Sequence, residues 1–245
     1  MTIFLPAYHG FSGKSPGSPG TTGLEAWWEL NEASGNRSDS HGSNTLTDNN
    51  TVGSTTGKQS NAADFVASNS EYLSIADNAS LSTGDIDFTF AGWVYLDSKS
   101  SPKKIAQKRS SSTAREWQVF YSSSTDRFQM AAYDNSGSAI GVVSADTLGS
   151  PSTGAWYFIV AWHDSGLNTV NIEINNGGVD STATTGVPSD TGGIFTIGVT
   201  VDSGPSYSNY FDGRIDEVGF WKRVLTSEER SWLYNSGNGR SYNEL

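Results

Sequence analysis

From Leu24 onward the chain alternates apolar and polar residues in short runs, each closed by Gly, Asn, Asp or Ser. Leu24, Ala26, Trp28 and Leu30 share one face of a first strand. Phe65 ends a second run, and Leu73 and Ile75 alternate with Tyr72, Ser74 and Ala76 in the next. The strongest strand is FTFAGWVYL: Phe88, Phe90, Gly92, Val94 and Leu96 fall on one face, Trp93 and Tyr95 on the other. Further strands are predicted at Lys104–Lys108, Ala139–Val143, Gly154–Trp162, Val170–Ile174 and Ile194–Val199. Glu116–Tyr121 and Arg127–Tyr133 read as a hairpin. Strands at intervals of about ten residues, with no long helical pattern, predict an all-β, two-sheet antiparallel sandwich.

The C-terminal ribbon breaks this regularity. Phe211, Gly213 and Ile215 alternate, but after Asp216–Glu217 the phase shifts and Val218 and Phe220 carry the apolar side. Such a slip predicts a bulge, which re-aims side chains. Thr226 then stands three residues before Glu229, the spacing of a capping box, and Gly237 follows as a stop. The spacing predicts one short helix, pinned by Trp232 and Leu233 to a sheet edge.

A chain of 245 residues can bury one sizeable core. Its net charge of −11 argues against nucleic acid as a partner, because phosphates demand a basic surface. There is no cysteine, hence no disulfide framework. His9, His41 and His163 lie far apart with no zinc spacing. No apolar run approaches the roughly 20 residues of a membrane-spanning helix, so no membrane insertion is expected. Met1–Phe11 lacks a basic start, and Pro6 interrupts its short apolar run, so it does not read as a signal peptide.

Residues 1–22 form an N-terminal arm and linker, and 23–245 the domain. The arm has an apolar tip, Ile3, Phe4, Leu5, Tyr8 and Phe11, followed by GKSPGSPGTTG, a flexible linker with no pattern to bury. The tip is expected to dock on a neighbour, either another copy of the chain or a larger particle such as a capsid.

The residues FDGRIDEV, an aromatic pair, LTSEE and LYNSG, in that order, resemble the C-terminal signature of laminin-G-like, concanavalin-A-like jelly-roll domains. FTFAGWV resembles that family's central strand, and DFVASNSEYLSI its preceding block, with Ala67 where a glycine is expected. The resemblance spans about Gly23 to Gly237. It implies a jelly-roll sandwich with a short C-terminal helix. The ending LYNSGNGRSYNEL also resembles those of such domains in phage structural proteins. The implied role is a non-catalytic display or binding module on a virion surface, as a capsid decoration or fibre. An extracellular lectin-like module is the alternative, and a glycan-cleaving enzyme ranks third.

Glycan cleavage needs two carboxylates about 5 Å apart in one groove, commonly presented as alternating acids on a strand. No such run is present. Asp85 and Asp87 read as turn acids, Glu173 stands alone, and His163–Asp164 reads as a turn. Sugar binding instead needs aromatic faces beside hydrogen-bonding side chains. Trp93, Tyr95, Trp117, Tyr207 and Tyr210 are the candidates, the last two in the Tyr-, Ser- and Asn-rich loop VDSGPSYSNY; for any single one a core position is the favoured reading in a two-sheet fold. The resemblance also implies a structural calcium site at Asp216, with the Asn31–Glu32 turn as partner. The other reading is that Asp216 caps backbone N–H groups or pairs with Arg37 or Arg214.

Overall fold

The computed structural model describes residues 16–203 and 206–245. In chain order its strands are β1 (Leu24–Trp28), β2 (Thr47–Asn49), β3 (Gly53–Thr56), β4 (Asn61–Phe65), β5 (Tyr72–Ile75), β6 (Phe88–Leu96), β7 (Lys103–Arg109), β8 (Arg115–Ser122), β9 (Arg127–Tyr133), β10 (Ala139–Ser144), β11 (Trp156–Asp164), β12 (Thr169–Ile174), β13 (Val179–Ala183), β14 (Ile194–Ile197), β15 (Thr200–Ser203), β16 (Ser206–Ser208) and β17 (Gly213–Trp221). Helix α1 (Ser227–Tyr234) follows. One sheet runs β13-β12-β11-β6-β17-β4-β3, with β1 also on β17; the other runs β10-β9-β8-β7-β14-β5-β2. All pairs are antiparallel.

The alternation along β6 is realised as expected. Phe88, Phe90, Val94 and Leu96 join the core between the sheets, while Ala91 and Trp93 enter a second cluster on the far side of the first sheet. The inter-sheet core includes Trp28, Phe65 and Phe128, and Phe88, Phe90, Phe195 and Phe220 pack around Trp117. The second cluster exists because α1 lies across the outer face of the first sheet, not along an edge. Leu225 and Leu233 are buried there with Trp27, Trp93, Phe158, Trp162 and Trp221. Period-2 tryptophans on a strand's outer side demand such a cover.

The helix starts as its sequence dictates. Thr226 accepts from the Glu229 backbone, and the Glu229 side chain accepts from Thr226 N at 2.9 Å. It ends earlier than Gly237: Asn235 takes the left-handed C-cap conformation at φ 48°, which asparagine tolerates. Glu173 is not isolated. It accepts from Arg230 at 2.8 Å and ties α1 to β12.

The phase slip after Asp216–Glu217 is the predicted bulge. β17 is continuous, with a register shift against β6 between Asp216 and Gly219 and with Glu217 at φ 48°. The bulge marks a change of neighbour: Gly213–Ile215 pair with β4, and Val218–Trp221 with β1.

Two linker residues, Ser18 and Pro19, do bury. Ser18 is inaccessible and donates to the Leu245 carbonyl at 3.3 Å, while Arg223 donates to the carbonyls of Pro19 and Thr22. Ile3, Phe4, Leu5, Tyr8 and Phe11 lie outside the described residues.

Candidate functional site

The proposed ligand aromatics separate into three places. Trp117 is a core residue at 1 % exposure, stacked on Phe220 at 5.9 Å and 8°. Trp93 is 2 % exposed, stacked on Tyr234 and capped by the Lys58 ammonium 4.5 Å from its ring. Neither presents a face to a sugar, because in a sheet covered on both sides each strand phase is buried. Tyr95 is half-buried on the first sheet, with Trp156 against it edge-on and the Arg214 guanidinium 4.4 Å over its ring.

Tyr207 and Tyr210 do come together, and they bring a residue the sequence reading missed. Tyr72 packs on Tyr207 at 5.0 Å and 31°, and on Tyr210 at 6.5 Å. All three are half-buried. Burial and its bond to Tyr207 push the Tyr72 hydroxyl upward in pKa. The signal for Tyr72 was its phase: Leu73 and Ile75 point inward, so Tyr72 points out.

The hairpin β15–β16 carries Tyr207 and straps the outer face of the second sheet. The Lys104 backbone donates to Asn209 O at 3.1 Å, and Ser111 bridges to Ser203. Between these tethers β7 is already paired to β14 and β8, so the hairpin lies over the sheet's face. Arg109 meets Asp202 of the hairpin at 3.5 Å. On the same face Lys104 donates to Gln118 at 2.6 Å and lies 4.2 Å from the Phe120 ring centre. Burial, together with Arg109 and Arg115, holds the Lys104 ammonium well below the ordinary lysine range. The Arg115 guanidinium stacks over Tyr133 at 5.1 Å. Gln107, paired in register with Gln118 and Thr196, is 0 % exposed, and neither its amide oxygen nor its nitrogen has a hydrogen-bond partner.

Asp216 and Glu217 form a second polar locus, at the bulge. Both are buried. Asp216 Oδ2 accepts from Lys58 N at 2.6 Å and Gln59 N at 3.0 Å. Asn31 Oδ1 accepts from Asn61 N at 2.9 Å. The two thus grip one loop, residues 57–61, from both ends. Asp216 makes no ion pair with Arg37, which donates to the carbonyls of Gly35, Val52 and Gly53, nor with Arg214, which faces Asp64. Glu217 Oε2 accepts from the Trp27 indole at 2.6 Å. Burial pushes Asp216 up to about 7, against the pull of its backbone donors. Burial, with Asp216 next to it, pushes Glu217 up to about 10. Asp216 Oδ1 and Glu217 Oε1 are buried without partners. Two such oxygens suit a hard cation. Among the described residues no three His, Asp or Glu side chains converge, so backbone carbonyls would complete the shell.

The two remaining sequence candidates for chemistry are structural. Asp164 Oδ1 accepts from Leu167 N at 2.8 Å, closing a turn, and His163 Nδ1 lies 2.9 Å from Ile86 O in the sheet.

The sheet order, the bulged ribbon and the capped helix agree with a sequence comparison: a laminin-G-like family profile matches residues 67–229. The chain belongs to the concanavalin A-like lectin/glucanases superfamily. No curated protein sequence matches it significantly. Solved structures of this fold include domain 4 of AbnA, an extracellular GH43 arabinanase from Geobacillus stearothermophilus, in complex with arabinotriose. It has TM-score 0.62 and 17 % identity, over 89 % of this chain and 98 % of that one. The binding domain of Paraclostridial Mosquitocidal Protein 1 aligns at TM-score 0.67 and 15 % identity, over 88 % of this chain and 52 % of that one. The botulinum neurotoxin serotype G binding domain aligns at 0.63 and 16 %, over 86 % and 50 %. This member of the superfamily therefore spans about half of each toxin binding domain and nearly all of the arabinanase domain.

Proposed function

We propose that this domain is a non-catalytic glycan-binding module. The observation that carries the reading is the half-buried cluster Tyr72–Tyr207–Tyr210 on the strapped face, beside polar Asn49, Ser74 and Asn209. Aromatic faces next to amides and hydroxyls are what sugar rings require. The arabinotriose complex of AbnA domain 4 and the binding domains of the two toxins support the same class of role. On a glycan array the wild-type chain is expected to bind a defined subset, and Tyr207→Ala to lose it by roughly tenfold, the scale of an aromatic contact of 0.5–1.5 kcal/mol beyond its area. Its melting temperature should stay close to wild type. An array blank for the wild type would sink the reading.

The setting we propose is a virion or other particle surface, with an extracellular location as the alternative. The arm would be the attachment device. Residues 18–22 support this, because their contacts with Arg223 and Leu245 fasten the linker to the domain. Deleting residues 1–15 should leave a domain that melts like the full chain but no longer co-sediments with its particle. Retained co-sedimentation would remove the arm from the account.

A structural calcium ion is proposed at the bulge, held by Asp216, with Asn31 fixing the loop beside it. A bound ion stabilises in proportion to the logarithm of its concentration over Kd. Adding millimolar calcium to chelator-treated protein should raise the melting temperature by several degrees, and Asp216→Asn should abolish that increment. An unchanged transition would exclude calcium.

A further inference from the structure

Helix α1 turns one face to the first sheet and leaves another along an open groove of about 690 Å³. That lies inside the range of roughly 300–1,000 Å³ typical of small-molecule sites. The linker contributes to the groove through Gly17, which at φ 84° sets its backbone against Trp232. The β12–β13 turn contributes Asn176, whose amide reaches the Ser231 hydroxyl at 3.4 Å. Glu228 and Trp232 stand four residues apart and share one ridge of the helix, as Ser227 and Ser231 share the next. Trp232 and Tyr234 are only half-buried against the outer tryptophans, and the rest of their surface lines the groove. The charges there are unequal. The Arg240 guanidinium lies 4.6 Å from the Trp232 ring centre and is already answered by Glu244 at 2.7 Å. The Glu228 carboxylate is exposed and has no partner among the described residues. An anionic ligand would meet a free carboxylate and no free cation. A ligand rich in hydroxyls would meet a strong acceptor beside aromatic surface.

We propose that the groove along α1 binds an uncharged oligosaccharide, so that the domain carries two sugar sites on opposite faces of the sandwich. The sugar packs on Trp232 and Tyr234, and Glu228 accepts from its hydroxyls. Asn176 and Ser231 bond to it in place of the long bond they make to each other. The tyrosine cluster belongs to the strapped face of the second sheet, whereas the groove lies outside the first. This site goes beyond the glycan reading of the tyrosine cluster, and the two stand or fall separately.

The test is a nuclear magnetic resonance titration of the full, nitrogen-labelled chain with cellotriose, maltotriose and carboxyl-reduced trigalacturonate. At least one of them should shift the Trp232 indole and the Asn176 side-chain amide along a saturating curve. Trigalacturonate itself should shift these signals far less, and a groove that takes the acid as readily overturns the inference. Glu228→Ala should weaken the groove site by about tenfold, the scale of one hydrogen bond to a charged group. Its melting temperature should stay close to wild type, because the residue is exposed. Trp232→Ala should abolish binding there; if that variant fails to fold, Glu228→Ala carries the test alone. Tyr207→Ala should leave the groove signals responding as in wild type. Shifts confined to the surroundings of Tyr72, Tyr207 and Tyr210 overturn the inference while leaving the glycan module in place. No shift with any of the sugars overturns it too, and the array then decides separately on the module.

Discussion

Trp117→Ala is expected to destabilise the domain by about 3–5 kcal/mol, the range for emptying a large aromatic site in a core. Trp117 stands where the two sheets meet. Its ring is stacked on Phe220 of β17 and lies 5.5 Å from Phe88, 6.1 Å from Phe90 and 6.0 Å from Phe195. Removal strips contact from β6, β14 and β17 at once, and a close-packed interior does not collapse to fill such a gap. For a domain of this size the transition should fall by roughly 10 °C. Trp117→Phe should recover most of the loss: it keeps an aromatic ring and discards an indole N–H that has no hydrogen-bond partner. Thermal and urea unfolding monitored by circular dichroism read the effect. A near-neutral Trp117→Ala would mean that the residue faces solvent after all.

The second large effect is electrostatic. With calcium chelated, Glu217→Gln should stabilise the protein increasingly as pH rises. Burial raises Glu217 to about 10 and Asp216 to about 7. A carboxyl whose folded pKa lies above its unfolded value keeps its proton when folded and loses it when unfolded. Its contribution is therefore full below about pH 4, and it is lost as pH climbs toward the folded pKa. Glutamine stays neutral throughout and can still accept from the Trp27 indole. The placement of its amide group carries a cost that does not depend on pH, so the slope is the clean observable. The stability difference, variant minus wild type, should grow by about 1.4 kcal/mol per pH unit above the unfolded pKa, up to about 5 kcal/mol between pH 4 and pH 8. A flat difference would show that Glu217 is ionised in the fold, with a counter-charge or solvent beside it.

Much of this architecture is legible in the chain. The period-2 face of FTFAGWVYL, the phase slip at Asp216–Glu217 and the Thr226–Glu229 box each became the predicted strand, bulge and cap. Short strands with weak pattern escaped, among them β3, GSTT, and β13, VDSTA. They sit at or near sheet edges, where pairing rather than side-chain burial makes a strand. The site was read less well. Trp93 and Trp117 look alike in sequence to any exposed aromatic, since period 2 tells that two faces differ and not what covers each.

The sequence by itself determined the sandwich, the bulge and the helix, because each is a local pattern of burial or capping within a few residues. Only the tertiary structure decided that α1 seals the outer tryptophans, that a hairpin straps the second sheet, and that Tyr72 meets Tyr207. Those contacts join segments distant in the chain, such as Ser111 with Ser203 and Tyr72 with Tyr207, and alternation along one strand carries no information about which distant segment will lie on it.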